Sequence, residues 1–176
     1  MKKGPLLLAG AVAAISLLLV ALAYARAGGM IVRRFQVVDE VEEQESAYER
    51  AIESSLYAAL NEMRASRGLP RLRRSEALEE RARDWAEYLR SIGSVEHSKP
   101  PYAWLPPGSA WGEVIFQICG RRLPAGELAR EAVEAWLESP EHRDVICYRD
   151  FEYAGAGAEC SGDCCTVVVQ FSTYEP

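Results

Sequence analysis

The sequence predicts an α+β domain carried behind an apolar N-terminal helix. Three observations lead there. Apolar residues recur at helical spacing in the middle of the chain, two β-rich runs around a polar turn close it, and Leu6 to Tyr24 holds no charged side chain. The 19 residues of that run, LLLAGAVAAISLLLVALAY, span ~28 Å as a helix, close to the ~30 Å of a bilayer's hydrocarbon. Its length favours an uncleaved signal anchor. The alternative is a signal peptide cut near Ala23-Tyr24-Ala25, which resembles a small-x-small cleavage site. Lys2 and Lys3 favour a cytoplasmic N-terminus, with Arg26, Arg33 and Arg34 pulling the other way. Either reading exports the rest. The chain therefore divides into a signal segment (1–27), a juxtamembrane linker (28–45) and a domain (46–176).

Within the domain, Tyr48, Ile52, Leu56, Leu60 and Met63 share one helical face, and Gly68 and Pro70 stop that helix. A second helix opens at Ser75 as N-cap, with Glu76 in its first turn. It buries Leu78, Ala82, Trp85, Ala86 and Leu89, and ends at Gly93. The stretch SVEHSKPPYAWLPPGS contains five prolines and glycines and is read as a loop, kept ordered by Tyr102 and Trp104. WGEVIFQI, from Trp111 to Ile118, reads as a strand. A third helix runs from about Ala125 to Glu138 and buries Leu128, Ala132, Val133 and Trp136. Ser139 and Pro140 then suit the N-cap and first position of a short fourth helix. FEYAGAGAEC and CCTVVVQFS around Ser161-Gly162-Asp163 form a hairpin, and Gly155 and Gly157 within it permit close packing. Glu127, Glu131, Glu134 and Glu138 make an acidic stripe, read as a solvated face with Arg143 as the basic neighbour of its last member.

Setting aside Lys2, Lys3 and Arg26 leaves 17 basic against 26 acidic side chains, a net charge of −9 that argues against a nucleic-acid partner. The five cysteines, Cys119, Cys147, Cys160, Cys164 and Cys165, all lie in the exported part, where disulfides are expected. Cys164 and Cys165 point to opposite faces of a strand, so one is free to pair with Cys147 or Cys160 and the other with Cys119. An odd count leaves at least one thiol. A zinc site at CSGDCC is the rival reading.

Several motifs now fall in a recognisable order: ALNEMRASRGLPRL, the His97-Ser98 pair of EHS, Gly112-Glu113, AWLESPEHR, FEYAGAGAE and VVVQFS. Over about residues 50 to 173 the chain resembles the CAP superfamily, or SCP domain, of cysteine-rich secretory proteins, antigen 5 and pathogenesis-related class 1 proteins, and within it the prokaryotic branch. The resemblance implies an α-β-α sandwich with a mostly antiparallel sheet, secreted or tethered outside the cell. It also implies a cleft in which His97, Glu113 and His142 converge and can hold a divalent cation. Glu138 stands in reserve, because Ser139 occupies the position of the family's second glutamate. Imidazole nitrogen and carboxylate oxygen suit a zinc-like ion, bound weakly without a fourth protein ligand.

The first functional expectation is thus a membrane-tethered extracellular binding module whose cleft takes a cation and a lipid, peptide or envelope-polymer ligand. The second is a metal-assisted or acid-base hydrolase of such a polymer or peptide, with Glu113 and the histidines activating water. The third is a tethered structural domain with a vestigial cleft. The chain has neither an H-E-x-x-H helix nor a G-x-S-x-G elbow.

Overall fold

A computed structural model describes residues 40–99 and 105–176. The apolar run Leu6–Tyr24, most of the linker, and Tyr102 and Trp104 lie outside the described residues. No helix among the described residues is long and apolar enough to cross a membrane. Glu45–Pro176 is one compact unit, and it contains the sheet and the helices that cover it.

Helix α1 occupies residues 40–66, so helical structure begins ahead of Ser46, where the sequence pattern suggested linker or strand. Its buried stripe is the expected one, Ile52, Leu56, Leu60 and Met63, with Tyr48 half-buried at the rim. The Tyr48 hydroxyl donates to the Leu123 carbonyl at 2.5 Å, and the Arg122 guanidinium lies over its ring while bridging to Glu45. That polar tie fixes the first turns, which have no apolar face of their own. Gly68, at φ 66°, ends the helix in the left-handed region.

Strands β1 (Arg73–Arg74), β2 (Trp111–Ile118), β3 (Tyr153–Ser161) and β4 (Cys164–Ser172) form one sheet in the order β1-β3-β4-β2. The two long ladders are antiparallel, and the two-residue β1 joins β3 in parallel. Helix α2 (Glu76–Ile92) covers one face of the sheet, where Ala82, Ala86 and Leu89 meet Ile115 and Val168. Residues of α1, α3 (Ala125–Glu138) and α4 (Pro140–Ile146) fill the core on the other face with Val114, Val167, Val169 and Phe171. The architecture is α+β, with helices on both faces of the sheet.

Several local expectations change in detail. Ser75 does cap α2, its hydroxyl accepting from Leu78 N at 3.4 Å. Trp85 is only half-buried, because its indole N–H reaches out of the core to the Glu96 carbonyl at 3.1 Å. Ser139 stands at the N-cap of α4 but makes no side-chain cap bond; its carbonyl accepts from Arg143 N instead. Arg143 in turn donates to the Leu137 carbonyl, so the basic charge compensates the end of α3 rather than Glu138. The rest of the acidic stripe is a surface face, with Glu131 held by Arg121.

Disulfides join Cys119 to Cys164 and Cys160 to Cys165, leaving Cys147 as the free thiol. Zinc binding at CSGDCC is thereby overturned, since all three of its cysteines are oxidised. The first bridge closes 45 residues and the second 5, and chain entropy alone assigns them about 4 and about 2 kcal/mol respectively. Urea denaturation of the paired serine variants is expected to rank them in that order. Equal losses would show that strain or residual structure, not loop length, governs the bridges.

Candidate functional site

Glu113 is the centre of the polar cluster on the sheet. It lies on β2, an edge strand, and the antiparallel register places Gln170 of β4 directly opposite on the same face. Gln170 Nε2 donates to Glu113 Oε2 at 3.0 Å. The same oxygen accepts from Ser98 Oγ at 2.7 Å, while Oε1 accepts from the Ser98 backbone N at 3.0 Å and from His97 Nδ1 at 2.9 Å. Four donors thus occupy a carboxylate whose side chain is 1% exposed, which is close to its full acceptor capacity. Such a cluster satisfies the acceptors of a carboxylate in a buried place.

The sequence builds this locally. Gly93, at φ 63°, turns the chain out of α2, and Trp85 pins the following segment through the Glu96 carbonyl. His97 and Ser98 then drop onto Glu113. On the opposite face of β2, Gly112 lets α4 come close: a Cβ there would lie 2.8 Å from both Val145 and Phe151 side chains. The Gly112-Glu113 pair is therefore two requirements in alternation, an empty position toward α4 and a carboxylate away from it. With α4 seated against the strand, His142 in its first turn brings its ring centroid to 6.3 Å from that of His97, tilted by 48°.

Three of the four expected residues are brought together. His97 and Glu113 are in direct contact and His142 faces His97, whereas Glu138 is exposed at the end of α3 and joins none of them among the described residues. Ser98 and Gln170 were missed by the sequence reading. Ser98 adjoins the histidine already singled out, and Gln170 is a polar side chain inside the apolar run VVVQF, a signal that it needs a buried partner.

The imidazole of His97 has one nitrogen committed and the other presented. With Nδ1 engaged by Glu113, Nε2 is the nitrogen left for a ligand, on a side chain that is 55% exposed. No group of three or more His, Cys, Asp or Glu side chains able to hold a metal ion occurs among the described residues. Glu113 is filled by donors and contacts His97 directly, which leaves the two imidazoles as the nitrogen donors nearest each other in this cluster.

A family model described as the cysteine-rich secretory protein family, CAP, matches residues 57–171. No match was found among curated protein sequences. Among solved structures, an outer surface protein of Borrelia burgdorferi superposes with a TM-score of 0.53 at 21% identity, covering 66% of this chain and 88% of that one. NaASP2 with Zn2+ gives 0.55 at 16% identity, covering 69% and 78%. An extracellular SCP-domain protein of Bacillus anthracis gives 0.55 at 17% identity, covering 73% of this chain and 42% of that one. At these identities the superpositions establish the fold.

Proposed function

Because the chain belongs to the CAP family of cysteine-rich secretory proteins, we propose that it acts outside the cytoplasm as a binding module, tethered through Leu6–Tyr24, whose cleft is built on His97 and His142. The observation that supports this is the saturated Glu113 carboxylate behind an exposed imidazole. It fixes the ring's tautomer and aim, and leaves Nε2 facing outward beside a second histidine.

A zinc-like cation is the first ligand to test, since two neutral imidazoles suit it and NaASP2 is a structural neighbour named with Zn2+. His97 and His142 would hold it, and water would complete the shell; the bound ion would then supply an attachment point for an anionic or carbonyl group of a lipid, peptide or envelope polymer. With only two protein ligands the site is weak. The hydrolytic alternative loses its base in this arrangement, because Glu113 must surrender an existing hydrogen bond before it takes a proton from water.

Calorimetric titration of the full chain with zinc is expected to give a saturable heat. His97→Ala and His142→Ala should each weaken it at least ~10-fold, and Glu113→Gln by about 10-fold through loss of the orienting carboxylate. Absence of heat on the parent, or binding unchanged in both histidine variants, would sink the cation site and leave the structural-domain reading.

A further inference from the structure

A second concave surface lies away from the histidines, at the β1 edge of the sheet. Its lining includes Arg71, Arg73, Arg149, Asp150, Phe151 and Glu152, around a groove of about 660 Å³. We propose that this groove is a binding site for a phosphate group, held by Arg71 and Arg149.

Charge distribution is the first support. The chain carries a net −6, yet Met63 to Ser75 contains five arginines and no acid. Outside the groove arginines answer carboxylates: Arg74 of that stretch reaches Glu79, Arg83 reaches Glu53, Arg90 reaches Glu159, and Arg122 reaches Glu45. In the groove, Arg73 is likewise committed, bonded to Glu152 at 2.6 Å and lying 4.3 Å over the Tyr153 ring. Arg71 and Arg149 are exposed, and neither makes a hydrogen bond or ion pair among the described residues. With Glu152 neutralised by Arg73, the groove lining holds two unengaged guanidiniums and one further carboxylate, Asp150, while Glu175 lies near enough to act on Arg73.

Rigidity is the second support. The two lips, residues 70–73 and 149–152, are joined from beneath. Arg64, fully buried, donates to the carbonyls of Pro70, Tyr148 and Phe151, and Arg73 N donates to the Glu152 carbonyl at 2.7 Å. Phe151 is buried and forms a fixed floor. The backbone positions of the two free arginines are therefore set before a ligand arrives, which lowers the ordering cost of binding. Guanidinium forks match the oxygens of a tetrahedral phosphate in a bidentate manner. The proposal is independent of the His97 cleft and shares no residue with it.

The test is an NMR titration of the full chain in non-ionic detergent, following the Nε–H signals of Arg71 and Arg149. Inorganic phosphate represents the free or monoester group and dimethyl phosphate the diester of lipid and polymer backbones, each against chloride at equal ionic strength. Saturable shifts with phosphate alone assign a free phosphate or monoester; saturable shifts with both assign a diester-bearing ligand. In either case Arg71→Gln or Arg149→Gln should weaken binding at least ~5-fold and Asp150→Asn should tighten it. Shifts that match chloride, or saturable binding that survives both glutamine substitutions together, overturn the site.

Discussion

Gly157→Ala is expected to cost on the order of 5 kcal/mol, the exceptional end of single substitutions, and to leave little folded protein at 37 °C. A Cβ on Gly157 would lie 2.2 Å from Ala82 C and from Arg83 N, and one on Gly155 equally close to Leu78 C and Glu79 N. Those atoms are backbone of α2, so no rotamer change relieves the overlap; the whole helix must lift from β3 by more than 1 Å, by the ordinary ~3.5 to 4 Å separation of carbon atoms. Lifting α2 also opens the cluster of Ala82, Ala86, Leu89, Ile115 and Val168 beneath it. Urea unfolding followed by circular dichroism reads the loss. Gly126→Ala is the control, since it lies in α3 with open space around it and gains helix propensity, so it should be neutral or stabilising. A Gly157→Ala variant within 1 kcal/mol of the parent would refute the close-approach account.

Those glycines also show what kind of information was legible beforehand. Periodicity located α2, α3 and the hairpin because one buried face repeats at 3.6 or 2 residues, whereas the turn expected at Ser161-Gly162-Asp163 is one residue shorter in the fold, where Ser161 ends β3 opposite Cys164 and so sets the register. Alternating glycine in a strand signalled a near neighbour, but only the fold names α2 as that neighbour. His97, Glu113 and His142 were legible through the family resemblance and not through spacing, since 15 residues of loop and strand separate His97 from Glu113 and α3 lies between Glu113 and His142. The start of α1 was illegible for a physical reason: its first turns are held by Arg122, Glu45 and Tyr48, a polar contact without period. Cysteine pairing was narrowed by strand alternation, yet only the cross-strand register placing Cys160 opposite Cys165 decides between Cys147 and Cys160.

Arg64 is where the sequence reading was most nearly silent. It sits within ALNEMRASRGLPRL, in a helix whose apolar stripe passes beside it, and an arginine there reads as surface. In the fold it is fully buried and donates to four backbone carbonyls: Pro70 at 2.8 Å, Ile146 and Tyr148 at 3.0 Å, and Phe151 at 3.3 Å. Burial pulls its pKa down, with neighbouring Cys147 acting in the opposite sense, but a guanidinium keeps its charge. One side chain thus ties the turn after α1 to the end of α4 and to the entry of β3, segments that lie 82 to 87 residues away from it. Arg64→Met keeps much of the volume and removes every donor, leaving these carbonyls without their charged partner; a loss of about 5 kcal/mol is expected. Arg64→Lys should recover only part, because one ammonium cannot reproduce the planar fork that spans these acceptors. Since α4 carries His142, a variant that remains folded should also show weakened zinc binding, whereas its disulfide content should be unchanged. Parent-like stability of Arg64→Met would mean that the carbonyls find water or other donors, and that the fold is not anchored through this residue.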